Sequence, residues 1–341
     1  MVEMGSQEIV NNRKAYIDII RAISVCLIFF YHFSGYISLY NTSLPTLYKF
    51  SNGNWGNIGV YLFFMISGNC LHLRYNNEFH LKDFWLNRFI KILIPFWICY
   101  AFFFLLNFWQ YRIFPEIPTY KFLLTIIGMD GFLAYKTETF YILGELFLGG
   151  ILILYLLFPI VRRCIKKNIH VTLAVLFVFY ILLCYNNFFY IFEIQTRRNP
   201  LVGLFYFVSG IWIERVIKAI NKGRILVVLA VCLCGFLTLT VKLHVNENIG
   251  ELIVTVAFFV FFMHIEKVME IGIINKIISW FSKNSYLIFL THHVVLQKVS
   301  DHFMGMYYSF KGVFCVFAIA VLLIYLFIIC YNRLMSKQLQ S

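Results

Sequence analysis

Ten apolar runs, each near the length of a bilayer span and separated by short polar loops, confine this chain to a membrane-embedded helical fold. They fall at 15–37, 55–73, 89–109, 139–160, 169–189, 200–216, 224–242, 248–265, 283–299 and 312–332. A helix needs ~20 apolar residues to cross a bilayer, and lipid offers no partner to an open backbone. Composition agrees, since 61% of the 341 residues are hydrophobic and only 13% are charged. A soluble domain is nearer half apolar and a quarter charged. The first run has no small-residue cleavage site and is too long for a signal-peptide core, so it stays a helix. The expected architecture is an all-α polytopic membrane protein of about ten transmembrane helices. A segment over 1–14 precedes the membrane domain at 15–332, and a tail covers 333–341.

The net charge of +13 does not point to nucleic acid, because the basic residues sit in the loops. Lysine and arginine collect on the cytoplasmic side of membrane proteins. With the N-terminus inside, nineteen of the 29 fall in inner segments and nine in outer ones, with Arg21 inside the first helix. An even number of helices with both termini cytoplasmic follows. The nine cysteines lie mostly in apolar runs, with no C-x-x-C pair and no zinc spacing. They read as small packing residues, and no metal is expected.

The polar residues within the runs are the functional candidates. The first run, YIDIIRAISVCLIFFYHFSGY, holds Asp18, Arg21 and His32. From Arg21 to His32 is eleven steps along the chain, close to three helical turns, which puts them on one face ~16 Å apart. Asp18 shares that stripe. Ionisable residues at membrane depth turn toward a bundle interior or a wet cavity. Each alone is also compatible with an interface ion pair, snorkelling or a buried interhelical hydrogen bond. The second run ends with Ser67, Gly68, Asn69 and His72, and its Ser-Gly step suits close backbone approach. Arg88 and Lys91 start the third run on one helical face, four residues before Pro95. They serve either as positive-inside flanking charge or as a cationic mouth for an anionic cofactor. Glu145 lies in the fourth run, and His292 and His293 in the ninth, where adjacent histidines cannot face the same way.

These stretches resemble the membrane-bound acyltransferase-3 family. Arg21-Ala22 followed by His32 matches its R-x10-H. VYLFFMISG resembles its V-D-x-F-F-x-I-S-G, Arg88-x-x-Lys91 with Pro95 its R-x-x-R-hydrophobic-x-P, and SYLIFLTH its S-Y-x-I-Y-L-x-H. FYILGELFLGGILILYLLFP resembles, more loosely, its W-Y-L-x-x-E-x-x-F-Y-L-x-x-P. The resemblance spans 15–332. Tyr61 stands where the family often has Asp, and Lys91 replaces an arginine, keeping charge but losing the bidentate fork. No SGNH-type esterase domain follows the helices.

The resemblance implies a multi-pass protein of a bacterial plasma (inner) membrane. It would move an acyl group, usually acetyl from acetyl-CoA, to a hydroxyl of a cell-envelope carbohydrate. On that expectation His32 is the general base, with Arg21 and Asp18 catalytic. Arg88, Lys91 and Arg21 hold the acyl-CoA, and Glu145, His292, Ser67 and His72 support the acceptor pocket. The partners are the carbohydrate, acyl-CoA and the bilayer. Buried His, Arg and Asp also suit a transporter of a glycan, lipid or proton-coupled solute. Paired broken helices would favour that reading, and no convincing pair is visible.

Overall fold

A computed structural model describes residues 15–40, 48–112, 116–144, 146–186, 194–220, 222–265 and 271–338. Among the described residues the protein is all-α apart from one short hairpin. Its helices are α1 (Ala15–Tyr40), α2 (Trp55–Tyr75), α3 (Leu81–Tyr111), α4 (Phe122–Ile126), α5 (Asp130–Leu133), α6 (Leu146–Asn186), α7 (Pro200–Ala219), α8 (Arg224–Thr240), α9 (Glu247–His264), α10 (Gly272–His302) and α11 (Phe310–Gln338). The hairpin pairs β1 (Lys49–Phe50) with β2 (Gly53–Asn54).

Among the described residues six helices are long and apolar enough to cross a membrane: α1, α3, α6, α7, α9 and α11. The long element α6 is two helices. Asn168 is extended at its middle (φ −163°, ψ 107°). Its side-chain oxygen caps the second half, accepting from the backbone N–H of His170 at 2.9 Å and Val171 at 3.1 Å. The expected runs at 139–160 and 169–189 thus meet at a single capped residue. The first of them begins only at Leu146, because Gly144 takes a left-handed backbone (φ +82°) and ends the irregular stretch before it. Conversely, α3 and α10 start well before the apolar runs that announce them. Their early turns mix polar residues, such as Lys82, Asp83, Asn275 and Lys276, among apolar ones, and apolar-run reading registers only the lipid-matched part.

Helix α7 sits in the middle. Its apolar window is 72% buried, against 22% for α3 and for α6, whose outer faces keep large apolar side chains such as Leu105, Trp109 and Ile160 exposed. In a membrane protein those faces meet lipid rather than water. Helix α2 packs on α1, α7 and α9, and α10 packs on α1 and α11. The α2–α7 crossing is backbone against backbone. A methyl group added at Gly68 would overlap the Phe207 carbonyl, and one at Gly210 would come 2.5 Å from the Met65 carbonyl oxygen. Small residues permit such contact where no hydrophobic effect drives helices together.

The hairpin aims the start of α2. Asn52 donates to the carbonyls of Thr238 and Val241, both at 2.6 Å, and accepts from Leu243 N–H at 2.8 Å. Asn54 then caps α2 by accepting from Asn57 N–H at 2.9 Å. This ties the first turn of α2 to the α8–α9 connection.

Candidate functional site

Three histidines meet where α1 crosses α10. The ring of His32 lies 5.1 Å from that of His292 and 5.0 Å from that of His293, between centroids. His292 is buried, and its Nδ1 faces the Phe289 carbonyl at 2.7 Å and the Ile288 carbonyl at 3.2 Å. A carbonyl only accepts, so Nδ1 carries the proton and Nε2 presents a lone pair. That Nε2 is buried and has no hydrogen-bond partner among the described residues. His293 packs against Gly144, where a Cβ would fall 2.5 Å from its ring; the left-handed glycine makes room for it.

His32 and His292 open into a cavity of about 270 Å³ that Tyr31, Asn57, Arg197 and Arg198 also line. Asn57 is held from behind. Glu251 of α9, only 1% exposed, accepts from Asn57 Nδ2 on both oxygens, at 2.8 and 2.9 Å. It also accepts from Asn54 Nδ2 at 2.9 Å and Asn54 N–H at 3.2 Å. A buried carboxylate this well supplied with donors is stable and fixes the cavity wall. Glu251→Ala would leave those amide groups unpaired, each at ~1–3 kcal/mol. A lowered melting temperature is expected, with Glu251→Gln recovering part of it; thermal unfolding in detergent measures both.

Arg197 and Arg198 belong to the 3-10 turn Thr196–Arg198. Asn199 ends the turn and caps α7, its side chain accepting from Leu201 N–H at 2.9 Å, with Pro200 at the first helical position. Proline there costs nothing, since its missing N–H would have no helical partner. Burial, then the neighbouring Arg197, push the Arg198 guanidinium below its usual range.

A second polar centre lies on the same α1 stripe, nearer its start. Arg21 Nη2 donates to Cys70 Sγ at 3.3 Å, and Arg21 Nη1 lies 3.9 Å from Asp18 Oδ1. Ser282 Oγ donates to Asp18 Oδ1 at 2.5 Å, joining α1 to α10. Beyond Arg21, Ser67 lies beside Tyr155, which is within electrostatic range of Arg88 and Arg21. The Arg88 guanidinium sits 5.7 Å from the Tyr75 ring centre and 5.8 Å from that of Tyr155. Its Nε is buried without a hydrogen-bond partner among the described residues. Lys91 is exposed and lies within electrostatic range of Arg74 and Arg88. Among the described residues no carboxylate pairs with Arg88 or Lys91.

That geometry is one that a chain-long family match can be set against. The family described as an acyltransferase domain, acyltransferase 3, matches residues 14–335. The chain belongs to the acyltransferase-3 family. No curated protein and no solved structure matches it.

In this acyltransferase-3 protein the candidate residues divide between two places. His32 and His292 share the cavity. Asp18, Arg21, Ser67, Arg88 and Lys91 gather at the basic centre, and Arg21 is not among the residues lining the His32 cavity. His72 Nε2 faces Arg215 Nη2 at 2.6 Å, an α2–α7 contact, and His72 is not among the residues lining the His32 cavity. Glu145 lies outside the described residues. Tyr61 stacks on Tyr206 with ring centres 4.0 Å apart, so the position where the family often has Asp is filled here by an aromatic pair. Sequence reasoning missed Asn57, Glu251 and the site role of Arg197 and Arg198. Glu251 was legible as a carboxylate inside an apolar run. The arginine pair was legible as adjacent basic residues in a loop expected on the charge-poor side.

Proposed function

We propose that the protein transfers an acetyl or other short acyl group from acyl-CoA to a hydroxyl of a cell-envelope carbohydrate. On this reading the basic centre faces the cytoplasm, both termini are cytoplasmic, and the membrane is the bacterial plasma membrane. Arg88 and Lys91 hold the phosphates of the donor, and Arg74 adds positive potential. Asp18, itself held by Ser282, positions Arg21 beside the thioester arm. The arm then runs along the α1 stripe toward His32, ~16 Å further on.

At His32 the acceptor oxygen attacks the thioester carbonyl carbon while its proton passes to the imidazole. The carbon–sulfur bond then breaks, the thiolate departs, and the imidazolium returns a proton to sulfur. An ester and free coenzyme A result. His32 suits the task because a neutral imidazole presents a lone pair that can take the hydroxyl proton during attack. General-base catalysis of this kind contributes ~10²–10⁴-fold. The free lone pair of His292 accepts from a second acceptor hydroxyl and orients the sugar. The observation that carries the reading is His32 beside that unpartnered Nε2 in one cavity, on the helix face that also bears Arg21.

Membranes containing the protein, given labelled acetyl-CoA and envelope glycan, are expected to place alkali-labile label on the glycan. Label that never exceeds control membranes removes the proposal. Arg88→Ala is expected to raise the KM for acetyl-CoA about tenfold or more, as loss of a charged hydrogen bond does. Steady-state kinetics at matched protein abundance checks this, and an unchanged KM takes Arg88 out of the donor site.

A further inference from the structure

We infer that the acceptor is an anionic sugar, whose carboxylate or phosphate is held by Arg197 and Arg198 at the His32 cavity. The inference rests on the acyl-transfer reading and names the substrate class of the same site.

Both arginines line the cavity, and among the described residues neither forms an ion pair with a carboxylate. Arg197 Nε donates to the neutral Gln195 Oε1 at 3.0 Å, and among the described residues its terminal N–H groups meet no carboxylate. Arg198 is half-buried beside it. Two adjacent like charges, one partly out of water, are unfavourable unless an anion joins them. None of the described lining residues is acidic. Glu251 stands behind Asn57 with its oxygens taken by Asn54 and Asn57; Arg197 acts on it electrostatically without ion-pair contact. The start of α7, through Asn199 and Pro200, lines the same wall and adds the positive end of a helix dipole. A guanidinium fork matches carboxylate and phosphate geometry, so the pair offers orientation as well as charge. The donor phosphates are already served by Arg88 and Lys91, which lie outside this cavity. An anion held here, with a hydroxyl toward His32 and His292, defines which hydroxyl reacts.

The test assays the purified full-length protein with acetyl-CoA and three matched acceptors: a neutral glucoside, its uronate and its 6-phosphate. Wild type is expected to show a KM for one or both anionic acceptors about tenfold or more below that for the glucoside. R197Q/R198Q is expected to bring that ratio toward one, with R198K, which keeps charge but loses the fork, in between. The uronate and phosphate arms tell which anion is read. Equal KM values in wild type overturn the inference. So does a raised KM for acetyl-CoA in R197Q/R198Q with the acceptor ratio unchanged, which would assign the arginines to the donor. Calorimetric binding of the same three acceptors without donor reads the site independently of turnover. Anion preference that disappears in R197Q/R198Q upholds the site, and equal binding overturns it. Anion-selective binding with no ester formed on any acceptor would uphold the arginine site and sink the acyl-transfer reading, so the two failures separate.

Discussion

His32→Ala is expected to lower acyl transfer by ~10²–10⁴-fold, the range a positioned general base supplies. The fold should survive, because His32 is only half-buried and, among the described residues, makes no hydrogen bond that holds α1 in place. Its neighbours are the rings of His292, His293 and Tyr31. Donor affinity should also survive, since the basic centre that would hold acyl-CoA lies further toward the start of α1. His32→Gln separates proton transfer from shape, for it keeps a polar side chain of similar reach but cannot act as a base. Both variants are expected to bind acetyl-CoA normally and turn over slowly; equilibrium binding and single-turnover measurements check the two halves. A variant that keeps most of its transfer rate would move the base to His292, whose Nε2 lone pair has no partner among the described residues.

Gly68→Val is expected to have the largest effect on folding. Its added carbons would enter the space of the Phe207 carbonyl, a backbone atom that no side-chain rotation can move aside. Overpacking against a side chain costs ~1–3 kcal/mol. Here α2 and α7 would have to separate, and α7 is the most buried of the candidate spans. The same crossing carries Gly210 against Met65, so the whole contact line shifts together. Little monodisperse protein should be recovered in detergent, and what is recovered should melt lower than wild type. Gly150→Ala serves as the comparison, since a Cβ there meets only the Phe64 ring at 3.7 Å, ordinary contact. Size-exclusion profiles and thermal melts of the two variants decide it.

The helices were legible because a bilayer imposes a length and a composition on anything that crosses it. The polar stripe of α1 was legible for a related reason. A helix has a fixed period, so Asp18, Arg21 and His32 must share a face wherever that face points. The arginines, lysines and histidines singled out within the runs were those whose burial is expensive. Glu251 obeys the same rule, yet its purpose depends on Asn54 and Asn57, nearly two hundred residues earlier, and no local pattern links them. Arg197 and Arg198 read as loop charge until the turn before α7 is seen to close one wall of a cavity.

The sequence by itself determined an all-α membrane protein of the acyltransferase-3 family, with the residues of one helix face in register. Local periodicity and hydropathy carry that much, because each acts within a few turns of chain. The tertiary structure alone decided that His32 meets both His292 and His293, that Arg21 keeps company with Cys70 rather than with the histidine cavity, and that Glu251 braces the wall opposite. Those pairings depend on how close two backbones come. Here that closeness rests on residues without side chains, such as Gly68 and Gly210, whose contribution is space and leaves little mark in a hydropathy pattern.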